Sequence, residues 1–188
     1  MNAQAQMEAR KLEAFRPYLR MVARLHWDAR LRGKLDPEDL VQQTLLEAHR
    51  SLGQFRGETD AELAGWLTQI LAHQLAHAVR YYTQAMRDLG QEVPLEDEAE
   101  ASSAPLERWL AADHSSPSER AHRNECAVRL AAALEHLPGA QREAVELRHL
   151  HGWTVAAIAR RLNRSTPAVA GLLQRGLRQL RLSLSELE

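Results

Sequence analysis

The sequence predicts an all-α protein with two small helical domains, at residues 1–87 and 117–188, joined by an acidic linker at 88–116. Apolar residues recur at steps of three and four towards both ends of the chain, as on the buried face of a helix. Aromatic residues make up only 5% of the sequence, and no stretch has a convincing strand pattern. The net charge changes from +2 over 1–87 to −7 over 88–137 and +4 over 138–188, which favours separate modules with separate partners.

Two helices are predicted before the first glycine-rich loop. The first covers residues 8–32, where apolar side chains recur from Leu12 onward, and Gly33 ends it. The second begins at Asp36, whose carboxylate can cap the helix, with Pro37 in its first turn. Its predicted apolar face consists of Leu40, Thr44 or Leu45, Ala48 and Leu52.

A long amphipathic helix is predicted over residues 61–89, after a turn that contains two glycines. The following segment, 90–119, holds three prolines, five serines and an acidic cluster at 96–100. Such a segment cannot bury enough apolar surface to offset the entropy lost on ordering. We therefore predict a linker between the two helical domains.

Helices are predicted again from Ser116. Ser116 and Glu119 have the spacing of a capping box, in which each side chain accepts from the backbone N–H of the other residue. That helix extends to about residue 137, where Pro138 and a glycine break it. A further helix then ends at Gly152.

The stretch "TVAAIARRLNRSTPAVAGLLQRGLRQLR", residues 154–181, predicts two helices joined by a tight turn. Thr154 can cap the first helix; Thr166 can cap the second, with Pro167 at its first position. This is the helix-turn-helix arrangement, in which the second helix enters the major groove. Residues 138–181 contain 8 arginines against 2 acids, which suits phosphate. The alternative is a plain helical hairpin with solvated arginines.

Several classes of protein are disfavoured by the composition. Cys126 is the only cysteine, so neither an intramolecular disulfide nor a multi-cysteine zinc site is expected, and a reducing cytosol is the natural location. Cys126 lies in a predicted helix beside apolar residues, and its side chain is expected to pack inside the protein. No run of about 18 apolar residues predicts a membrane span. The first 15 residues lack the apolar core of a secretory signal. The expected location is cytoplasmic.

The histidines offer a weak metal motif. His73 and His77 lie one helical turn apart, but the zinc-protease pattern requires glutamate after the first histidine and the sequence has Gln74. No third ligand is apparent, and no phosphate loop or nucleophile elbow occurs. We therefore expect no catalytic residue, no metal and no cofactor, and hence no enzyme, with a metal-dependent enzyme as the least favoured alternative.

Two motifs together carry a family resemblance. "DPEDLVQQTLLEAHRSLGQFRG", followed by "WLTQILAHQLAHAVR", and later "LPGAQREAVELRHLHGWTVAAIARRLNRSTPAVAGLLQRGLRQLR", resemble the bacterial extracytoplasmic-function sigma factors of the sigma-70 family. The resemblance covers residues 15–87 and 117–182. It implies a sigma-2-like and a sigma-4-like domain that bind core RNA polymerase, recognise the promoter −10 and −35 elements, and open the duplex. An anti-sigma factor is a further implied partner.

The resemblance also implies functional residues in the first domain. The polymerase-binding helix would present Asp39, Leu40, Val41, Gln42 and Leu45, although the leucines and the valine are equally suited to the core. The −10 element would meet Phe55, Arg56, Trp66 and Arg80. Unstacked bases need aromatic surfaces, with arginine on the backbone. Trp66 can instead be a core residue, and Arg80 can simply be solvated.

In the second domain, the resemblance implies a −35 surface on the second helix of the motif. Its residues are Arg164, Ser165, Thr166, Ala168, Ala170, Gly171, Gln174, Arg175 and Arg178. The sequence departs from the family here, because Ala170, Gly171 and Leu172 replace the usual basic residues. Ala170 and Leu172 could touch thymine methyl groups, or Leu172 could be buried. A helix-turn-helix regulator that does not act as a sigma subunit is the alternative function.

Overall fold

The computed structural model describes residues 10–27, 31, 33–88 and 116–185, and within them every regular element is helical. In chain order these elements are α1 (Arg16–Leu25), α2 (Pro37–Ser51), a 3₁₀ turn (Leu52–Gln54), α3 (Asp60–Asp88), α4 (Pro117–Glu135), α5 (Gly139–Val145), a π-helical turn (Glu146–Leu150), α6 (Val155–Arg161) and α7 (Thr166–Ser185). Most of the predicted linker, 89–115, lies outside the described residues.

The chain forms two compact units, Met1–Cys126 and Ala127–Glu188, and the boundary between them falls inside α4. Across the described ranges, no helix combines the length and the apolar content needed to cross a membrane.

The first helix is shorter than the predicted span of residues 8–32. A helical turn at 10–13 ends in a bend at 14–15, and α1 begins at Arg16 with proline in its first turn. Pro17 is the physical reason, because it has no backbone N–H to donate to the carbonyl of Glu13 and its ring disfavours a helix through that point. The sequence contained this signal, and the prediction of one continuous helix was wrong.

Helix α2 begins as predicted. The backbone N–H of Glu38 donates to the Asp36 carboxylate at 2.8 Å, which confirms the cap. The buried residues of α2 are Leu40, Val41, Thr44, Leu45 and Ala48. The buried hydroxyl of Thr44 donates to the carbonyl of Leu40 at 2.8 Å, so this polar group is satisfied inside the apolar interface.

Helix α3 supplies the other side of this core. Its buried leucines recur at four-residue steps from Leu63 to Leu75, followed by Val79. The hydroxyl groups of Tyr18 on α1 and Thr68 on α3 lie 2.9 Å apart within the core. Burial raises the pKa of Tyr18, and the hydrogen bond to Thr68 opposes that rise. The three helices therefore form one small bundle around α3.

Helix α4 opens on the predicted capping box. The Ser116 N–H donates to the Glu119 carboxylate at 2.7 Å, and the Glu119 N–H donates to the Ser116 hydroxyl at 3.3 Å. These reciprocal bonds satisfy two of the donors that every helix start leaves unpaired. The capping-box prediction is confirmed.

The second unit packs α7 against α5 and α6. Gly176 is buried where α7 meets α5, and a Cβ built on it would lie 2.9 Å from Cγ2 of Val145. The close approach of these two helices therefore requires glycine. Gly152 has φ of +69°, which explains why the preceding helical segment ends there. The core of this unit includes Leu134, Leu137, Ala144, Val145, Ile158, Val169, Leu172, Leu173 and Leu180.

Candidate polymerase and nucleic-acid interfaces

Helix α2 divides the five predicted polymerase-binding residues into two groups. Leu40, Val41 and Leu45 are buried in the core of the first unit. Asp39 and Gln42 are exposed. The reason is helical geometry, since positions three and four apart share a face, and the core already occupies the face of Leu40. The three buried residues therefore position the helix. Of the five, Asp39 and Gln42 are the ones that a partner can contact.

An exposed stripe follows from this geometry, and we call Asp39, Gln42, Leu46 and His49 the α2 stripe. Leu46 is a large apolar side chain with 49% of its surface exposed. A shallow cavity of ≈ 270 Å³ lies beside the stripe. Its lining residues are Leu12, Glu13, Arg16, Gln42, Leu45, Leu46 and His49. An apolar floor with a polar rim is the usual form of a protein-binding surface.

Ion pairs fix the start of α2 against α1. The Glu38 carboxylate accepts from Arg20 Nε at 2.7 Å and from Arg16 Nη1 at 2.8 Å. Hydrogen bonds from Arg20, and then from Arg16, hold the pKa of Glu38 below its usual value against the opposing effect of burial. Arg16 also contacts Glu13 at 2.8 Å, and this bond lowers the pKa of Glu13. These ion pairs therefore hold the first turn of α2, which also contains Asp39 of the α2 stripe, against α1.

The loop between α2 and α3 carries the predicted −10 residues. The rings of Phe55 and Trp66 lie with centroids 5.3 Å apart, and both side chains are half-buried. Trp66 therefore packs against Phe55 and is also partly exposed, so its burial is compatible with a core role and with contact to a base. Arg56 is exposed, and its guanidinium donates to the carbonyl of Gly53 at 3.4 Å. The structure thus brings an aromatic pair and a cation together.

The beginning of α3 is capped by a side chain within the helix. The carboxylate of Glu62 accepts from the backbone N–H groups of Glu58 and Thr59 at 2.9 and 3.0 Å, and from the Thr59 hydroxyl at 2.9 Å. These bonds lower the pKa of Glu62, the one to Glu58 most. They also fix the loop end next to Trp66.

Arg80 lies about four helical turns beyond Trp66 on α3, and its side chain is exposed. Its neighbour Tyr81 is 62% exposed and stacks edge-on against Tyr82, with centroids 5.2 Å apart. The Tyr82 hydroxyl donates to the carbonyl of Lys34 at 3.3 Å. Arg80 is therefore far along α3 from Trp66, beside a second aromatic pair formed by Tyr81 and Tyr82.

Each helix of the helix-turn-helix in the second unit begins at a residue whose side chain caps it. The Ala157 N–H donates to the Thr154 hydroxyl at 3.2 Å, as predicted for α6. At the start of α7 the Ala168 N–H donates to the Ser165 hydroxyl at 3.3 Å. The cap of α7 is therefore Ser165 and not Thr166. Asn163 adopts φ of 50° in the turn, a conformation that asparagine tolerates.

Helix α7 separates a buried stripe from an exposed one. Leu172 is only 8% exposed, so it belongs to the core and cannot touch DNA bases. The predicted −35 residues that are exposed are Arg164, Ser165, Thr166, Ala170, Gln174, Arg175 and Arg178. Ala168 and Gly171 are half-buried, and a Cβ on Gly171 would lie 3.2 Å from Nη1 of Arg175. The polar side of α7 is thus continuous from its first turn.

Three residues of α3 and α4 bear on the predictions about a metal site and the cysteine, namely His73, His77 and Cys126. His73 and His77 are both exposed on α3. No group of three potential metal ligands occurs among the residues that the structure describes. Cys126 is exposed, with its Sγ 3.7 Å from Nε2 of His122, so the expectation that it packs inside the protein was wrong. The reason is that Cys126 lies on the solvent side of α4, opposite Asn124.

One contact in the first unit was missed by the sequence analysis. The Asn124 side-chain amide on α4 donates to the carbonyl of Ala61 on α3 at 3.1 Å. A cavity of ≈ 510 Å³ adjoins this contact, with Trp66 and Arg120 in its lining. No local pattern predicts a pairing of residues 63 positions apart, since it depends on how two distant helices meet.

Comparisons with family models and with curated proteins all indicate the same family. The models for Sigma-70 region 2 and Sigma-70 region 4 match residues 12–85 and 127–180, respectively. The ECF RNA polymerase sigma factor SigG of Mycobacterium tuberculosis is 35% identical over 164 residues, which are 80% of this chain and 43% of SigG. The RNA polymerase sigma factor CarQ of Myxococcus xanthus is 35% identical over 152 residues, which are 80% of this chain and 76% of CarQ.

The chain thus spans less than half the length of SigG. A solved flagellar sigma/anti-sigma complex, Sigma-28/FlgM, aligns over 99% of both chains at 16% identity with a TM-score of 0.37. A similarity of that size is too low to support a structural or functional conclusion.

Proposed function

The chain belongs to the sigma-70 family, among its extracytoplasmic-function sigma factors, and on this premise we propose that it is a transcription initiation factor. It binds core RNA polymerase, directs it to promoters with specific −10 and −35 elements, and assists strand opening. The polymerase supplies the chemistry, so the chain itself is not an enzyme and needs no metal or cofactor. The proposed partners are core polymerase and promoter DNA, with an anti-sigma factor as a third candidate, all in the cytoplasm.

One observation carries the proposal. Polar residues are exposed from Arg164, in the turn before α7, to Arg178 on the helix, whereas the apolar stripe of α7, which includes Val169 and Leu172, is buried. A helix held by one face against its own domain can present the other face to the major groove. In this proposal, Arg164, Arg175 and Arg178 contact phosphates. Bases are read near the N-terminal end, by Thr166, Ala170 and Gln174.

The proposed polymerase contact is the α2 stripe. Asp39 and Gln42 supply its polar part, and exposed Leu46 supplies an apolar anchor next to the ≈ 270 Å³ cavity. The acidic first turn suits a partner surface rich in basic side chains. Leu40, Val41 and Leu45 contribute indirectly, because their burial sets the orientation of the stripe.

The proposed −10 contact is the loop at Phe55 and Arg56 together with Trp66. A strand that leaves the duplex can stack an unpaired base on the exposed part of the Trp66 ring, with Arg56 on its backbone. Arg80 lies further along α3 and would meet backbone phosphate outside the opened segment. We propose that residues 1–87 serve polymerase and −10 binding, that 88–116 form a linker and that 117–188 serve −35 binding, whereas the first compact unit extends to Cys126.

Run-off transcription with core polymerase on a library of genomic promoter fragments tests this function. The expected result is a defined set of transcripts that appears only when the protein is added. Failure of the purified chain to bind core polymerase would contradict the proposal.

Paired substitutions on α2 sharpen that test. Asp39→Ala combined with Gln42→Ala should weaken core binding at least roughly tenfold, as expected for residues at the centre of a protein interface. Gln43→Ala is the matched control, because Gln43 is also exposed but projects from a different side of α2. Equal core binding by the double variant and the control would remove the α2 stripe from the proposed polymerase contact, whereas absence of core binding by the unsubstituted chain would favour a helix-turn-helix regulator that does not join the polymerase.

A further inference from the structure

We propose that His73 and His77 bind backbone phosphates of promoter DNA, between the base that stacks on Trp66 and the phosphate at Arg80, and that this contact strengthens as the pH falls. The inference rests on the proposed function, because it adds two residues and a pH response to the −10 surface.

The four residues lie on one face of α3, and we call them the α3 stripe. The two histidines are rotated by about 20° to either side of Trp66, and Arg80 by about 40°. Along the helix axis, His73 lies about 10 Å beyond Trp66, His77 about 6 Å further, and Arg80 about 4.5 Å beyond that. A strand that follows the helix from Trp66 to Arg80 therefore passes over both imidazoles.

Both imidazoles are available to a ligand. His73 and His77 are exposed, and neither has a hydrogen bond or an ion pair with another described residue. The buried face of α3, which includes Leu67 and Leu71, lies on the opposite side of the helix, where α1 and α2 pack. The two histidines therefore take no part in the core of the first unit.

The charges along α3 favour an anion on this face. The sequence of α3 contains no acidic residue between Glu62 and Asp88. Glu62 lies about 16 Å before His73 along the helix, which is beyond the screening length of about 8 Å at physiological salt. Arg80 adds a permanent positive charge one turn beyond His77.

Neighbouring elements bring further charged groups to the two ends of the α3 stripe. Arg120 of α4 lines a cavity with Trp66 and Glu62, and the Glu62 carboxylate already accepts from the backbone N–H groups before α3. Near the other end, Nζ of Lys34 lies 5.9 Å from the centre of the Tyr82 ring. Cations thus lie near both ends of the stripe, which suits a polyanion.

A histidine binds phosphate well only when its ring is protonated. The neutral ring has one N–H donor and no charge, whereas imidazolium has two donors and a positive charge. A nearby phosphate favours the charged form, so DNA binding to such a ring takes up protons. The affinity is therefore highest in acid and declines as the pH rises through the range of histidine titration, between about 5 and 8.

Promoter binding by the full chain in complex with core polymerase tests the inference. The probe is a promoter fragment that supports run-off transcription, and its affinity is measured at pH 6 and at pH 8 at constant salt. The unsubstituted protein should bind roughly tenfold more tightly at pH 6, since one pKa unit at one site corresponds to at most about tenfold in affinity. The slope of log K against log salt concentration should also be steeper at pH 6, by about 1 to 2.

Glutamine variants identify the groups that titrate. His73→Gln combined with His77→Gln should lower the affinity ratio between pH 6 and pH 8 to about twofold or less, because the amide cannot gain a charge. His122→Gln is the matched control. His122 is also exposed, but it lies on the side of α4 opposite Asn124, so this variant should keep the ratio of the unsubstituted protein.

Arginine variants separate a phosphate contact from a structural role. His73→Arg combined with His77→Arg carries both charges at every pH in the range. It should bind the promoter fragment at pH 8 roughly tenfold more tightly than the unsubstituted protein does, and its affinity should change little between pH 6 and pH 8. Weaker binding by the arginine variant at pH 8 would overturn the proposal.

The remaining outcomes distinguish this inference from the proposed function. The same pH ratio in the unsubstituted protein and in the glutamine variant would overturn the histidine contact. A ratio that the glutamine variant loses in core polymerase binding but keeps in promoter binding would also overturn it, and would assign the α3 stripe to a protein partner. Absence of promoter-specific transcription by the unsubstituted chain would instead count against the proposed function.

Discussion

The rings of Phe55 and Trp66 lie 5.3 Å apart, with their planes inclined at 39°. The pair joins the loop after α2 to the first turns of α3. A Cβ on Gly57 would lie 2.5 Å from Cζ of Phe55, so the loop closes tightly over the phenyl ring. Trp66 thus packs against Phe55 and is still partly exposed to solvent, and a stacking surface has to be exposed.

Replacement of Trp66 should impair strand opening more than polymerase binding. Stacking of one base on an aromatic side chain contributes about 1–3 kcal/mol, so Trp66→Ala should reduce open-complex formation by roughly one to two orders of magnitude. Trp66→Phe keeps a ring and should retain most of the activity. Permanganate reactivity of promoter thymines measures opening, and core affinity is measured in parallel. Unchanged opening by Trp66→Ala would remove this residue from the −10 surface.

Gly176→Ala should destabilise the second unit. The added methyl would meet Cγ2 of Val145 at 2.9 Å and Cβ of Gln141 at 3.5 Å. Overpacking of this kind costs about 1–3 kcal/mol, which exceeds the gain of about 1 kcal/mol in helix propensity. Amide hydrogen exchange in α5 and α7 should therefore accelerate.

Gly171→Ala is the control for that prediction. Its Cβ would meet only the end of the flexible Arg175 side chain, at 3.2 Å. Exchange in α7 should therefore stay the same or become slower. Equal protection in the Gly176 and Gly171 variants would show that α5 can move away from α7 at little cost.

The ion pairs of Glu38 predict a pH dependence of stability. The folded-state pKa of Glu38 is lowered from 4.5 by Arg20 and Arg16. Its contribution is therefore complete above the unfolded-state pKa and is lost as the pH falls through the folded-state value. The carboxylate is 40% exposed, so solvent screening limits the contribution to about 1 kcal/mol or less.

Glu38→Gln should lower the free energy of unfolding at pH 7, and the difference from the wild type should shrink below pH 4.5. Urea denaturation at pH 7 and at a strongly acidic pH measures both values. Glu143→Gln, at an exposed position of α5, should change little at either pH. A deficit for Glu38→Gln that stays constant with pH would mean that the ion pairs do not cause it.

The salt dependence of promoter binding should identify the phosphate contacts of α7. Arg164→Ala and Arg175→Ala should each lower affinity on all promoters and reduce the slope of log K against log salt concentration by about 1. Arg181→Ala is the control, since Arg181 lies on the same helix about 9 Å beyond Arg175. A slope that falls equally for Arg181 would place the DNA along the entire helix rather than at its N-terminal part.

Local features of the fold could be predicted from the sequence because they depend on residues close together in the chain. The caps at Asp36 and Thr154 and the box of Ser116 with Glu119 join positions two or three residues apart. The break before α1 also had a local cause, Pro17. The regular spacing of apolar residues on both sides of Pro17 had indicated one continuous helix. The cap of α7 was displaced by one residue, because Ser165 and Thr166 are chemically equivalent as capping groups.

The sequence by itself therefore determined the helical class, most helix starts and the family. Tertiary structure decided which side of each helix is available: Leu40 and Leu172 are buried, whereas Gln42 and Gln174 are exposed. It also decided the contact of Asn124 with Ala61, 63 positions apart. The physical reason is that caps and periodicity arise within a few turns, whereas burial and helix approach depend on partners that no short stretch encodes.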